Sequence, residues 1–380
     1  MIIERKEDFK QVKDLLRVFP VAAILGPRQV GKTTLAREFG ADEFFDFENP
    51  QDAAVFAEPL LGMERLKGLV VFDEIQRVPD IFPVLRHVVD KRKDVRFLIL
   101  GSASRDLLQQ SSESLAGRIG YHELGGFGIG DVGAKNWQRL WLRGGLPPAY
   151  LARNDADAGL WREQYIRTFL ERDIPQLGIT IPAATLRRFW LMLCHYHGQV
   201  MNYAEFATSF GVSDATVRRY LDILAGTFMV RILQPWHGNI AKRLVKRPKI
   251  YLRDSGLLHS LISVGTEREL STHSKLGASW EGFALENVCR AVGKEEMFFW
   301  ATHSGAEVDL FWQEGGKNWA VEFKYADAPE MTRSMHSALA DLDLAHLWVV
   351  YPGERTYSLA PRVTALPIAS IGAKWKYNFL

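Results

Sequence analysis

Eight residues, Gly26–Thr33, read Gly-Pro-Arg-Gln-Val-Gly-Lys-Thr and satisfy the spacing G-x-x-x-x-G-K-[ST] in full. The chemistry of such a stretch is phosphate binding. Glycine lets backbone N–H groups crowd an anion, the lysine reaches the β- and γ-phosphates, and the hydroxyl after it ligates Mg²⁺. Gly26, Pro27, Arg28, Gln29, Val30, Gly31, Lys32, Thr33 and the next residue, Thr34, are therefore the candidate nucleotide contacts, with Lys32 also catalytic and Thr33 a metal ligand. A second signal lies some forty residues on: the apolar run Leu69–Phe72 ends in Asp73 and Glu74. Asp73, at the tip of a buried strand, is expected to hold Mg²⁺, and Glu74 to orient and deprotonate an attacking water. The adjacent glutamate favours a hydrolysing ATPase over a metabolite kinase. No Asn-Lys-x-Asp guanine-reading motif occurs, which favours ATP over GTP.

These residues need a scaffold, and the flanking pattern predicts one. Val21–Leu25 reads as a buried strand before the loop, and Thr34–Phe39 as a helix after it, stopped by Gly40. Asp8–Phe19 carries a helical apolar stripe, and Glu43–Phe47 is an aromatic strand followed by the turn Glu48-Asn49-Pro50. Val95–Leu100 is a further buried strand ending in Gly101-Ser102-Ala103-Ser104. Ser102 is a candidate sensor of the γ-phosphate, with Ser104 close behind; an ordinary serine-rich turn reads the same way. Arg118, in a loop before a strand, is a candidate to supply charge to the transition state from the same or a neighbouring subunit. A solvated loop arginine is the equal alternative. Strands alternating with helices imply an α/β parallel sheet covered on both faces, with nucleotide at the carboxyl ends of its strands.

The segments Gly26–Thr33, Val-Val-Phe-Asp-Glu-Ile-Gln-Arg, Leu-Ile-Leu-Gly-Ser and Ser-Leu-Ala-Gly-Arg resemble those of a prokaryotic group of AAA-type ATP-binding proteins. In that group the ATPase precedes a carboxy-terminal domain of unknown function. The resemblance continues through Leu142–Pro148, Lys249–Leu258 and the Glu-Val-Asp…Glu-Phe-Lys segment, and so covers most of the chain. It implies ATP and Mg²⁺ as cofactors and makes Arg118 a feature of the group.

At 380 residues the chain is expected to hold two or three domains. We divide it into a P-loop AAA-type domain over 1–145, a helical and winged-helix domain over 146–265, and a nuclease-like α/β domain over 266–380. The formal charge of +2 is near neutral, so any nucleic-acid surface must be local. Cys194 and Cys289 form neither a metal nor a disulfide pattern and suit a reducing cytoplasm. Met1–Lys10 lacks an apolar signal core and no run is long enough to span a membrane, so the reading is cytoplasmic, without a membrane partner.

In the middle, Gly144–Pro148 is a turn-rich break, and Leu160–Leu170 is a helix ended by Asp173-Ile174-Pro175. Thr185–Tyr196 is another helix; His195 and His197, two apart, would not share a face, which argues against a metal pair. Tyr203–Phe210, Gly211-Val212-Ser213 and Asp214–Leu224 have a helix–turn–helix rhythm capped by Ser213 or Asp214. Val217, Leu221 and Leu224 face inward there, and Arg218 and Arg219 outward. Met229–Leu233 and Lys249–Leu252 read as wing strands flanking Lys242, Arg243, Lys246, Arg247 and Lys249. Two readings stay open: a winged helix on DNA, or a winged helix packed on protein with a solvated basic hairpin.

In the last third, Ser279–Val292 is a helix whose apolar arc contains Glu281, while Glu286 falls on the polar side. A carboxylate aimed at the core needs a partner. Met297–Thr302 is an aromatic strand. Val308–Trp312 alternates with Asp309 on the minority face, and Trp319–Lys324 places Glu322 and Lys324 together. Helix with Glu281, hairpin with Asp309, then Glu322-x-Lys324 resembles the PD-(D/E)XK nuclease-like fold. That resemblance implies Glu281, Asp309 and Glu322 as Mg²⁺ ligands and Lys324 as a catalytic residue. The expected function is an ATP-hydrolysing protein coupling nucleotide state to a DNA-binding, nuclease-like domain, with a homo-oligomer allowed. The alternative is a signalling or scaffold ATPase that binds a protein partner and whose carboxylates are structural.

Overall fold

The computed structural model describes residues 3–102, 113–176, 181–238, 244–294 and 296–372. The chain divides into two compact units, Met1–Gly126 with Gly226–Phe228, and Phe127–Ala225 with Met229–Leu380.

In the first unit, apolar runs without polar alternation can be satisfied only in a sheet covered on both faces. They form β1 (Val21–Gly26), β2 (Glu43–Asp46), β3 (Gly68–Asp73), β4 (Val95–Ser102) and β5 (Ile119–Glu123). The sheet order is β2-β3-β4-β1-β5, and every pair is parallel. Because β4 lies between β1 and β3, the loop after Gly26 and the acidic tip at Asp73 open at the same edge, one strand apart. Helix Ile81–Lys91 buries Ile81, Phe82, Leu85, Val88 and Val89, and Phe47, Phe56, Phe72 and Phe97 fill the core beside it. The helix after the phosphate loop runs Lys32–Arg37, two residues earlier than the pattern suggests. Gly31 starts it with φ +99°, a left-handed conformation that glycine adopts at little cost.

The second unit contributes β6 (Gln199–Val200), β7 (Val230–Pro235), β8 (Lys249–Leu252), β9 (Phe298–Ala301), β10 (Glu307–Glu314), β11 (Lys317–Phe323), β12 (Leu344–Tyr351), β13 (Tyr357–Ala360) and β14 (Val363–Pro367). Their order is β13-β14-β12-β11-β10-β9-β7-β8-β6. The hairpin β7–β8 thus continues the C-terminal sheet, joined to it through the parallel pairs Gln234↔Phe298 and Pro235↔Phe299. Helix Tyr203–Phe210 ends at Gly211 in the left-handed conformation, and Asp214–Gly226 follows. Of the two expected caps it is Ser213 whose Oγ accepts the Thr216 N–H, at 3.2 Å. Val217, Leu221 and Leu224 are buried, while Arg218 and Arg219 are exposed.

Three sequence expectations change or sharpen. The strict alternation of Val308–Trp312 is broken by an irregularity between Val308 and Phe311 against β9, so Val308 and Phe311 share one core. Glu286, on the polar side of its helix, is half-buried there and is held by Arg231 at 2.9 Å and by Arg253 at 3.4 Å. The helix expected to end at Asp173-Ile174-Pro175 begins earlier, at Asp155, widens into a π-turn over Phe169–Asp173 and runs on through Ile174–Gln176.

The resembling segments Leu142–Pro148 and Lys249–Leu258 meet in a buried polar network. Asp254 accepts the N–H groups of Gly145 at 2.8 Å, Leu146 at 3.3 Å and Leu257 at 2.8 Å. His259 Nδ1 lies 3.0 Å from the Leu142 carbonyl, which can only accept, so Nδ1 carries the proton. Its Nε2 then accepts from the Ser279 hydroxyl at 2.7 Å, and Ser279 Oγ accepts the Trp141 indole N–H at 2.9 Å. The chain packs here with no room to spare. A Cβ on Gly144, at φ +81°, would stand 2.1 Å from Asp254 Oδ1, and one on Gly256 2.1 Å from the Arg143 carbonyl. Gly144→Ala and Gly256→Ala are each expected to cost about 2–3 kcal/mol, read as a lower denaturant midpoint at unchanged slope. Gly277→Ala, a helical position with open space around it, should leave the midpoint unchanged or raise it.

Candidate functional sites

The phosphate loop leaves β1 at Gly26, where a Cβ would fall 2.3 Å from the Leu124 carbonyl. Only glycine fits that approach. Lys32, at the start of its helix, is buried and donates to the carbonyls of Gly26 and Pro27, both at 3.0 Å. Burial pulls its pKa down to about 8, against the charges of Glu74 and Asp73, which raise it. Thr33 Oγ1 donates to Asp73 Oδ2 at 2.6 Å. The expected pair from two motifs forty residues apart therefore meets. Two hard oxygens side by side fit Mg²⁺, which takes one or two protein oxygens and completes its shell from phosphates and water. Burial raises the Asp73 pKa, partly offset by the Thr33 hydroxyl. Glu74 follows with φ +52° and ψ +42°, a left-handed conformation that costs a non-glycine residue roughly 1–3 kcal/mol. Such residues recur where a side chain must be aimed. Gln76 Nε2 donates to Glu74 Oε2 in a short contact.

Arg118 is not brought to this site. Its carbonyl accepts the N–H of Val21, at the opposite end of β1 from Gly26, roughly 16 Å away at the usual strand rise. Its guanidinium is held by Asp90 in a two-bond fork at 2.6 and 3.0 Å. Ser102 pairs in register with Gly26, which sets its backbone beside the loop; Ser104 lies outside the described residues.

The C-terminal carboxylates also converge, but around a group the sequence placed elsewhere. Lys249 is not a solvated wing residue: it is 2% exposed. Its Nζ lies 3.2 Å from Glu281 Oε1 and 3.1 Å from Asp309 Oδ1, and also contacts Glu307. Tyr251 donates to Glu281 Oε1 at 2.6 Å. The other Asp309 oxygen accepts the Phe323 N–H at 3.0 Å, and Lys324 pairs with Glu322 at 2.7 Å. Burial, then the charge of Asp309, raises Glu281 to about 7 and Glu322 to about 8. Among the described residues no three His, Cys, Asp or Glu side chains are grouped to hold a metal ion. The donor set implied for Mg²⁺ does not fit, because a lysine stands in it. Of the wing's basic residues, Lys246 and Arg247 are exposed, and Lys242 and Arg243 lie outside the described residues.

Residues 18–132 match an AAA domain, residues 134–268 a domain of unknown function (DUF8612), and residues 276–371 another (DUF4143). Two mycobacterial proteins, the uncharacterized protein Rv2008c of Mycobacterium tuberculosis and the uncharacterized protein Mb2031c of Mycobacterium bovis, are each 49% identical over 375 residues. Those residues make up 98% of this chain and 85% of theirs. The chain belongs to their family. Among solved structures, the Walker-type ATPase PABY2304 of Pyrococcus abyssi aligns at TM-score 0.46 and 15% identity, over 69% of this chain and 96% of its own. The Hsp104–ADP complex of S. cerevisiae aligns at 0.30 and 12%, over 77% and 43%. Likenesses this loose have no bearing on function. The AAA domain match agrees with the parallel sheet and with the meeting of the two motifs. No helix among the described residues is long and apolar enough to cross a membrane.

The sequence reading missed the group behind the loop. Arg5, 4% exposed, donates to the carbonyls of Val30 at 2.9 Å and Gly125 at 2.7 Å. Asp8 lies 3.7 Å from it and 3.0 Å from His122 Nε2. An arginine just before a helix carries no pattern that would have marked it. For the C-terminal cluster, the raised carboxyl pKa values give a stability test. A carboxyl that titrates higher when folded binds more protons in the native than in the unfolded state. Its contribution to stability is therefore present below the unfolded pKa and is lost as pH rises toward about 8. Glu322→Gln removes that titration, so it should raise Tm at pH 8.5 and change it little at pH 4.5, measured by calorimetry.

Proposed function

We propose that this protein is an AAA-type switch that binds ATP with Mg²⁺ and hydrolyses it. One observation carries the reading: Lys32, Thr33 and Asp73 converge at the carboxyl edge of a parallel sheet, with Glu74 as the next residue. In this reading the loop amides from Gly26 to Thr34 and the Lys32 ammonium take the phosphates. Thr33 and Asp73 hold Mg²⁺, and Ser102 is retained as the sensor. Glu74 orients and deprotonates the attacking water. Arg118, held by Asp90, is read here as a charge donor across the interface of a homo-oligomer, with a solvated loop arginine as the alternative.

For the second unit, we take the helix pair Tyr203–Phe210 and Asp214–Gly226, with the hairpin β7–β8, as a winged helix. Exposed Arg219, Lys246 and Arg247 support a local DNA contact, while Arg218 stacks on Tyr203 at 3.7 Å. Lys249 inside the carboxylate cluster favours the second reading for the C-terminal sheet: a domain that recognises a protein partner and whose carboxylates are structural.

Lys32→Ala should abolish binding of a fluorescent ATP analogue, and Glu74→Gln should keep binding while hydrolysis falls at least about a hundredfold. Phosphate release at the wild-type rate from Glu74→Gln would remove that residue's role. The lowered pKa of Lys32 sets a pH dependence. Free protein loses this charge as pH rises through about 8, whereas bound phosphate holds the proton on. ATP association should therefore be flat below pH 8 and weaken by about tenfold per pH unit above it. Equilibrium titrations from pH 6.5 to 9.5 check this, and an association constant that rises above pH 8 would contradict it.

A further inference from the structure

Lys249 has no part in the ATP site and is not on the surface, yet it carries a full charge through the interior of the second unit. An ammonium has three hydrogens to donate. Here three carboxylates from two elements surround it: Glu281 from helix Leu276–Val292, and Glu307 and Asp309 from β10. Further donors engage part of the same set. Tyr251, two residues along β8, donates to Glu281, while the Phe323 N–H and Lys324 take Asp309 Oδ2 and Glu322 Oε1. Glu322 Oε2 is buried with no hydrogen-bond partner among the described residues.

We infer that Lys249 is a resident cation: its ammonium takes the place among Glu281, Glu307 and Asp309 that a divalent metal ion would need, and the domain holds its carboxylates together without one. The consequence is chemical as well as structural. A metal entering this cluster would have to leave an ammonium buried without acceptors, a cost of several kcal/mol. The pair Lys249 and Tyr251 also ties β8 to the helix and to β10, so the same contacts that exclude the metal fix the hairpin against the C-terminal sheet. The inference deepens the partner-binding half of the proposed function and is independent of the ATP half.

The test is equilibrium Mn²⁺ binding, followed by the electron paramagnetic resonance of free Mn²⁺, on the full chain without nucleotide. Any site at Thr33 and Asp73 is common to every protein compared and cancels. Wild type, Asp309→Asn and Glu281→Gln should bind the same number of ions. Lys249→Met, which removes the ammonium and keeps much of the stem, should gain one Mn²⁺, and Lys249→Met/Asp309→Asn should lose it again. A Mn²⁺ site present in wild type and missing from Asp309→Asn or Glu281→Gln would overturn the inference. So would a folded Lys249→Met that gains no site. Should Lys249→Met fail to fold, the wild-type comparison still decides. Inactive ATPase in all of these proteins would count against the ATP reading and leave this one unmoved.

Discussion

An ammonium taken out of water must be met by acceptors, and among the described residues two buried lysines, Lys32 and Lys249, meet the demand in opposite ways. Lys32 is given only the neutral carbonyls of Gly26 and Pro27, with the acidic pair Asp73 and Glu74 acting from farther off. Its charge is under-compensated, as its lowered pKa records, and an anion arriving there relieves the deficit. Lys249 is surrounded by formal negative charge. Burial alone would lower its pKa, yet the charges of Tyr251, Glu281, Asp309 and Glu307 lift it well above the ordinary value. The first site is built to receive a phosphate and the second is closed on itself.

The contrast stems from the elements each sheet brings together. In the first unit the parallel order puts two loops at one edge, where strands end and backbone N–H groups have no ladder partner. That edge is open by construction, and the strain at Glu74 is tolerated because Asp73 and the short turn Ile75–Arg77 fix the residues on either side. Arg5 braces the same loop from behind by holding the Val30 carbonyl, so that the facing amides need not reorganise when an anion arrives. In the second unit the carboxylates lie within strands and a helix rather than at an open edge. A charge in such a place can be kept only by a counter-charge of fixed geometry.

How much of this was legible in the sequence depended on how local each signal is. The phosphate loop is eight consecutive residues, and the acidic pair ends an apolar run, so both were readable along with the strands that carry them. The inward aim of Glu281 came from helical periodicity and is borne out by its contacts with Lys249 and Tyr251. The identity of its partner was not readable. Lys249 sits in a basic stretch, where a lysine in the interior and one in solvent look alike, and it lies 32 positions from Glu281. The irregularity at Val308–Phe311 was invisible for another reason: period-two alternation assumes every residue is paired, and an extra residue shifts the face without changing composition.

The same limit applies to the stretches that made the chain look like a known group. Leu-Arg-Gly-Gly-Leu-Pro-Pro and the Asp-Ser-Gly-Leu-Leu segment carry part of that resemblance, and their polar residues and glycines could in principle serve a ligand. Their residues instead spend that chemistry on each other. Asp254 meets the amides of Gly145 and Leu146, Gly256 admits the Arg143 carbonyl, and Arg162 bridges Ser260 and Arg143. Glycine is required there for close approach and aspartate for capping, demands as strict as those of catalysis and written in the same residue types. What separates the two uses is whether a polar group still has capacity to spare. At Asp254 it is exhausted by backbone, at Lys249 by carboxylates, and at Lys32 alone of the three does the surrounding structure leave a charge waiting for a ligand.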